Sequence, residues 1–235
     1  MLSVIIPTMW RHEPFLDYLE GVLEQESVGE VIIINNDVAS TPDSDVLSHE
    51  KIRMHNCEKN IYVAPAWNLG AEMAHYDKLC FLSDDIDVDL RVFNKTEAFL
   101  KPEIGMVGLL VDYPTENVNT YNEFLTDGSI DYIAANTPYD ESKPRLTITG
   151  IGTLFFVNRS DYTPIPRVKI FHGEVMLWKR IATAKTNYMI TNCESTTPWH
   201  TTANFLGSNP NTGTEYALIQ KEDFEAAFGH KKARF

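Results

Sequence analysis

Three features of the chain predict an α/β fold with a mostly parallel central sheet and helices on both faces. Short apolar runs rich in β-branched residues recur in the first half, at residues 3–6, 31–34 and 79–82. Unbroken runs of this length suit strands covered on both faces, as parallel strands are. Helical periodicity separates the runs, and each run ends on polar turn residues. Alternation of this kind over the first 110 residues points to repeated β-α units.

Each element has its own signal. The first strand, residues 3–6, is stopped by Pro7, and Phe15, Leu16, Leu19, Val22 and Leu23 then fall on one helical face. Val31-Ile32-Ile33-Ile34 is the second strand, closed by Asn35-Asn36-Asp37. Pro65 suits the first turn of a helix carrying Ala66, Leu69, Met73 and Ala74. Leu79-Cys80-Phe81-Leu82 is the third strand and ends abruptly in Ser83-Asp84-Asp85-Ile86-Asp87. A helix over 92–100 and a strand over 105–111 follow. Residues 112–143 are polar and without period, long enough for a functional loop or lid. Beyond them the pattern predicts a strand over 146–157 and helices over 174–184 and 218–228, the last with Leu218, Phe224 and Phe228 as its apolar positions.

Composition narrows the classes of function. A chain of 235 residues can bury roughly 70% of its unfolded surface and needs no metal or disulfide to fold. Its 20 basic and 33 acidic residues give a net charge of −13, which disfavours nucleic-acid partners. No apolar run is long enough for a membrane span. The start of the chain lacks the basic segment of a signal peptide, and Cys57, Cys80 and Cys193 lack metal-type spacing. Reduced thiols and a cytoplasmic location are the expectation.

In an open parallel sheet, ligands bind beyond the carboxyl ends of the strands. Pro7-Thr8, Asn35-Asn36 and the acids Asp84, Asp85 and Asp87 all fall there. Three carboxylates within four positions repel one another and call for a counter-charge. Mg²⁺ or Mn²⁺ is the natural one, because hard cations prefer oxygen ligands. In an extended segment Asp85 and Asp87 point the same way, as an Asp-x-Asp pair. The blander alternative is that Asp84 caps the following helix and the other two acids are solvated.

Taken in order, Val4-Ile5-Ile6-Pro7-Thr8, Glu30 through Asn36, Asn60 through Ala66-Trp67-Asn68-Leu69-Gly70, and Phe81-Leu82-Ser83-Asp84-Asp85 resemble a family 2 glycosyltransferase of the GT-A type over about the first 90 residues. The resemblance implies one GT-A domain over 1–235, with a nucleotide-sugar-binding half at 1–111 and an acceptor and catalytic half at 112–235. It implies a nucleoside-diphosphate sugar donor, UDP-linked by preference and GDP- or dTDP-linked otherwise. A glycan or other hydroxyl acceptor, a divalent cation and inversion at the anomeric carbon complete the expectation.

The implied roles follow residue by residue. Pro7 and Thr8 resemble the lining of the nucleobase pocket. Asn35 and Asn36 stand where the family usually has aspartates that hold base or ribose; Asn can accept as they do, and adds a donor. Asn68 resembles the Asn of an Ala-Arg-Asn-x-Gly segment in which Trp67 replaces the Arg. Asp84 and Asp85 resemble the diphosphate and metal aspartates, with Asp87 as a further metal ligand. Gly150, in Thr149 through Val157, resembles a glycine-bearing strand near the sugar. Glu174 resembles a general base at a helix start, although a carboxylate in a first turn also simply favours the helix dipole. His200 stands as a further metal ligand, with His172 competing for that role. Apart from the resemblance, Arg11 is a candidate phosphate contact or a surface residue flanking the first helix, and Trp199 and Tyr188 are candidate stacking surfaces for a sugar or core aromatics. Two rivals remain in view. A sugar-phosphate nucleotidyltransferase is opposed by the lack of glycine in Thr8-Met9-Trp10-Arg11-His12. A non-catalytic carbohydrate-binding protein on the same fold is the other.

Overall fold

Leu2, Val4, Ile5 and Ile6 are fully buried because their strand, β1 (Leu2–Thr8), lies inside a sheet covered on both faces. A computed structural model describes residues 1–109, 130–135, 151–166, 168–196 and 213–229. The other strands are β2 (Val28–Asn35), β3 (Ile52–Asn56), β4 (Lys78–Leu82), β5 (Asp87–Val88), β6 (Ile104–Leu109), β7 (Asp131–Ala134), β8 (Leu154–Asn158), β9 (Thr186–Thr191) and β10 (Ser195–Thr196). The helices are α1 (Phe15–Leu23), α2 (Val63–Met73), α3 (Arg91–Phe99), α4 (Gly173–Ile181) and α5 (Gly213–Phe228). Eight strands form one sheet in the order β3-β2-β1-β4-β8-β6-β9-β7, and β5 pairs with β10 in a separate ribbon. The pairings make β8 and β7 antiparallel to their neighbours and leave the other six strands running one way.

The unbroken apolar runs have a direct cause. On one face Val4, Ile6, Ile33 and Leu82 pack with Phe15 and Leu19 of α1 and with Val92 and Phe93 of α3. On the other, Ile5, Ile32 and Phe81 pack with Ala64 and Trp67 of α2 and with Trp178 of α4. Both alternate positions of each strand must therefore be apolar. Cys57, Cys80 and Cys193 are free and buried, in line with reduced thiols. Among the described residues, no helix is long and apolar enough to cross a membrane.

Several elements differ from the sequence expectation. Pro7 does not stop β1. The ladder to β4 ends at Ile5, so the missing N–H of Pro7 interrupts nothing on that side. Residues 151–153 form a 3₁₀ turn rather than a strand, and β8 starts only at Leu154. Part of the expected loop, Asp131–Ala134, is the edge strand β7, paired with β9 and largely exposed. It sets only Tyr132 against the core, and the edge strand β3 only the half-buried Ile52 and Met54, too short a pattern to show in the sequence. On α5 the expected Leu218 is 54% exposed and Phe224 is half-buried against the His172 ring, while Ile219 and Asp223, one turn apart, are buried.

Trp67, expected in place of a charged donor contact, is a core residue. It meets Phe81 and Phe155 edge-on at 5.9 and 5.1 Å between ring centroids, and is 4% exposed. Tyr188 likewise lies edge-on to Phe99 at 5.1 Å, packed against the core. Replacing Trp67 with Ala is expected to destabilise the fold by about 3–5 kcal/mol in urea unfolding. A Trp67→Ala protein of unchanged stability would contradict this placement.

Candidate active site

The carboxyl ends of β1, β2 and β4 lie side by side, and the polar residues that close them interlock. Thr8 ends β1, where its hydroxyl donates to Asp84 Oδ2 at 2.5 Å and accepts the Trp10 N–H at 2.9 Å. Asp84 is buried, and burial together with the charge of Asp85 pushes its carboxyl up to about 7. The bonds from Thr8 and from the Met9 backbone act against that rise. Asp85 is half-buried and accepts the Ser83 hydroxyl at 2.5 Å.

Asn35, fully buried at the end of β2, uses its entire hydrogen-bonding capacity within the protein. Its Nδ2 donates to Thr41 Oγ1 at 2.7 Å and Asn56 Oδ1 at 2.8 Å, and its Oδ1 accepts from Trp10 Nε1 at 2.9 Å and Asp37 N at 3.1 Å. It organises the rim of the site instead of presenting a free amide to a base. The Asn36 N–H donates to the Thr8 carbonyl at 2.9 Å, and Asn36 Oδ1 accepts from Ile61 N at 3.0 Å, which ties the approach to α2 onto β2. Arg11 pairs with Asp37 at 2.6 Å, so its charge is already met by a carboxylate. Asn68 points at a different part of the chain. Its amide bonds the backbone N–H and carbonyl of Ile165 at 2.9 and 3.0 Å and the Tyr162 hydroxyl at 2.7 Å.

Asp87 does not join Asp84 and Asp85. It sits in the β5–β10 ribbon opposite Thr196 and lines a cavity of about 440 Å³ with Pro14, Tyr18, Asp89 and Glu194. Burial raises its carboxyl, and His12 is the charge that pulls it back. An Asp-x-Asp alternation fails here because Asp85 lies in a turn and the strand begins only at Asp87. Among the described residues there is no group of three or more His, Cys, Asp or Glu side chains placed to hold a metal ion. Gly150, Trp199 and His200 lie outside the described residues.

Glu174 reaches the same edge from the other half of the chain. It stands in the first turn of α4, behind His172, whose backbone is left-handed with φ 65°. A Cβ on Gly152 would lie 3.2 Å from Glu174 Cδ, so the glycine leaves the space that the carboxyl occupies. The carbonyl of Thr153, the next residue, accepts the Ser83 N–H at 2.8 Å. The turn at 151–153 thus lies between the 83–85 segment, with its acids Asp84 and Asp85, and Glu174. Burial pushes the Glu174 carboxyl up to about 7, and Asp223 adds to the rise. Four loops at this edge carry non-glycine residues at positive φ, namely Trp10, Tyr62, His172 and, just past β9, Asn192. Such backbone strain gathers at functional sites.

Sequence reasoning missed Asp223. It is 1% exposed on α5 and accepts backbone N–H groups from Lys169, Ile170 and Phe171 at 2.8–2.9 Å. One acid among several on a polar helix carries no signal of such a role.

The fold has solved counterparts. GalNAc-T7, crystallised with UDP, GalNAc and Mn²⁺, matches with a TM-score of 0.53 at 15% identity, over 83% of this chain and 43% of that one. The chain thus spans less than half the length of that protein. A putative glucose-1-phosphate thymidylyltransferase from Bacillus anthracis, crystallised with a sucrose, matches with a TM-score of 0.53 at 13% identity, over 99% of this chain and 98% of its own. TarS residues 1–349 from S. aureus match at 0.51 and 13% identity, over 98% and 72%. No protein-family model and no curated protein matches the chain. The likeness is one of fold, the nucleotide-diphospho-sugar transferase or GT-A fold.

A raised carboxyl makes the folded state bind protons that the unfolded state releases. Between the ordinary carboxylate range and about pH 7, Asp84 and Glu174 therefore contribute stability that is present at low pH and lost as pH rises. In chelator, the Glu174→Gln protein is expected to lose less stability than the parent between pH 5 and 8, as read by urea unfolding at each pH. Parallel stability curves for the two would show that Glu174 is not raised.

Proposed function

We propose that the chain is a glycosyltransferase that moves a sugar from a nucleoside-diphosphate sugar to an acceptor hydroxyl, with inversion. The observation that carries this reading is the meeting of two kinds of acid at one sheet edge. The Asp84–Asp85 pair comes from the end of β4, and Glu174 comes from α4 across the 151–153 turn. The resemblance of the first 90 residues to family 2 enzymes supports the same division of labour.

Glu174 takes the proton of the acceptor hydroxyl. That oxygen bonds to the anomeric carbon as the bond from this carbon to the diphosphate oxygen breaks, and attack opposite the leaving group inverts the centre. A base raised to about 7 is well matched to this task near neutral pH. Thr8 and Ser83 fix the two aspartates through their hydroxyls, so the acids meet the donor already oriented. Their chemistry fits Mg²⁺ or Mn²⁺: two carboxylates side by side, one of them raised by burial and by the charge of the other. Asp85, with Asp84 behind it, would hold the ion, which would offset the charge of the departing nucleoside diphosphate. A site with so few protein carboxylates would leave room for phosphate oxygens and water on such an ion.

In this reading residues 1–111 receive the donor, and Glu174 and the rest of the chain serve the acceptor. A UDP-sugar is the first donor to test, since GalNAc-T7, on the same fold, was crystallised with UDP. A nucleotidyltransferase is the second reading, favoured by the near full-length match to the thymidylyltransferase. Against it, the loop after β1 has no glycine, and its Arg11 is paired with Asp37. Pyrophosphate release from a nucleoside triphosphate and a sugar phosphate would favour that reading.

Asp85→Ala, or excess chelator on the parent protein, is expected to abolish transfer from a panel of UDP-, GDP- and dTDP-sugars and to remove most donor binding by calorimetry. Full transfer in chelator would eliminate the metal. Glu174→Gln is expected to bind donor as the parent does while kcat falls about 10²–10⁴-fold. Parental turnover in that variant would place the base elsewhere.

A further inference from the structure

We infer that Asp223 is a positioning residue for Glu174, holding from the far end of the chain the loop that aims it. The inference rests on the reading of Glu174 as the base. Both oxygens of the buried Asp223 carboxylate are engaged. Oδ1 accepts from Lys169 N at 2.9 Å, and Oδ2 accepts from Ile170 N and Phe171 N, each at 2.8 Å. Three consecutive N–H groups gathered on one carboxylate fix the path of the segment they belong to. That segment leads at once into His172, whose left-handed backbone turns the chain into α4, and Glu174 is the second residue of that helix.

The same segment is anchored a second time. The Lys169 carbonyl accepts the N–H of Ala64 at 2.8 Å, in the first turn of α2. The approach to α2 is in turn bonded to Asn36 at the end of β2, through Ile61 N. Two hydrogen bonds, joined by the chain between Ile61 and Ala64, thus connect the end of β2 to residues 169–171, and Asp223 holds that segment from α5. Packing leaves little slack, since a Cβ on Gly173 would lie 3.2 Å from the Ile165 side chain.

Asp223 also acts on Glu174 by charge. Asp223 from α5 is the charged neighbour that raises the Glu174 carboxyl beyond the effect of burial. On α4 itself, His172 stands at the head of the helix and feels both Asp223 and Lys179. Lys169 on the tethered segment pairs with Glu222 of α5 at 3.8 Å, and the turn beneath Glu174 offers only the uncharged Gly152. Loss of the Asp223 charge therefore lowers the pH at which Glu174 ionises, and Asp223→Glu, which keeps the charge, separates this effect from the tether.

The test uses the full chain with Asp223→Asn, and Glu222→Gln as a neighbouring control. Three readouts are taken: hydrogen exchange of the 169–171 amides, the ¹³C titration of the Glu174 carboxyl (identified by its absence in Glu174→Gln), and kcat against donor KM. In Asp223→Asn, exchange at 169–171 is expected to rise at least about tenfold. The Glu174 midpoint is expected to move to lower pH, and kcat to fall with donor KM unchanged. The control is expected to match the parent in all three. If Asp223→Asn does not fold, Asp223→Glu keeps the charge while displacing the acceptor oxygens, and is expected to lose kcat with the titration near its parental midpoint. Unchanged exchange and an unchanged Glu174 titration in a folded Asp223→Asn protein would overturn the inference. If both move while Glu174→Gln turns over like the parent, Asp223 keeps its positioning role and the catalytic reading of Glu174 is what fails.

Discussion

Two carboxyl groups in this protein, Asp84 and Glu174, are held where their ionised forms are penalised, and the architecture of the site follows from that constraint. Burial dominates both shifts, and a second acid, Asp85 or Asp223, adds to each. A fold does not keep acids in such places without fixing them. Asp84 is fixed by Thr8 and the Met9 backbone, and Glu174, lodged in space that Gly152 leaves, follows the anchored loop behind it. Perturbed carboxyls brought to one sheet edge from distant parts of a chain are a sign of acid–base and electrophilic chemistry.

The division between the two acids is also physical. Asp84 neighbours another carboxylate at a strand end, where a cation relieves repulsion between like charges. Glu174 has no such pairing with the strand-end acids, and its shift comes mainly from lost hydration. Burial raises Asp84 as well, so what separates the two is the neighbouring acid: Asp85 at the strand end for Asp84, Asp223 of α5 for Glu174.

Much of the donor side was legible in the sequence. The apolar runs at 31–34 and 79–82 gave two core strands because both faces of each are covered, and turn residues marked where each one ends. The acids at 84 and 85 could be placed at a strand end on the same grounds. What could not be read was how polar side chains are used once buried. Asn35 looks like a ligand-binding amide in the sequence, but its four hydrogen bonds go to Thr41, Asn56, Trp10 and Asp37, contacts set by chain packing. Asp87 looks like half of an Asp-x-Asp pair, yet the turn at Asp85 breaks the alternation and sends it to the α1 cavity. Asp223 gave no signal, because its partners are backbone groups that any residue type supplies. Local pattern reports which faces are buried, and pairwise polar geometry emerges only from the tertiary fold.

A crystal structure with Mn²⁺ and a UDP-sugar tests the central claim most directly. The account places the ion on Asp85, the diphosphate beside it, and the anomeric carbon facing Glu174 with room between them for an acceptor oxygen. A nucleotide bound with its ion at the cavity beside Asp87, or anywhere remote from Asp85 and Glu174, would contradict it.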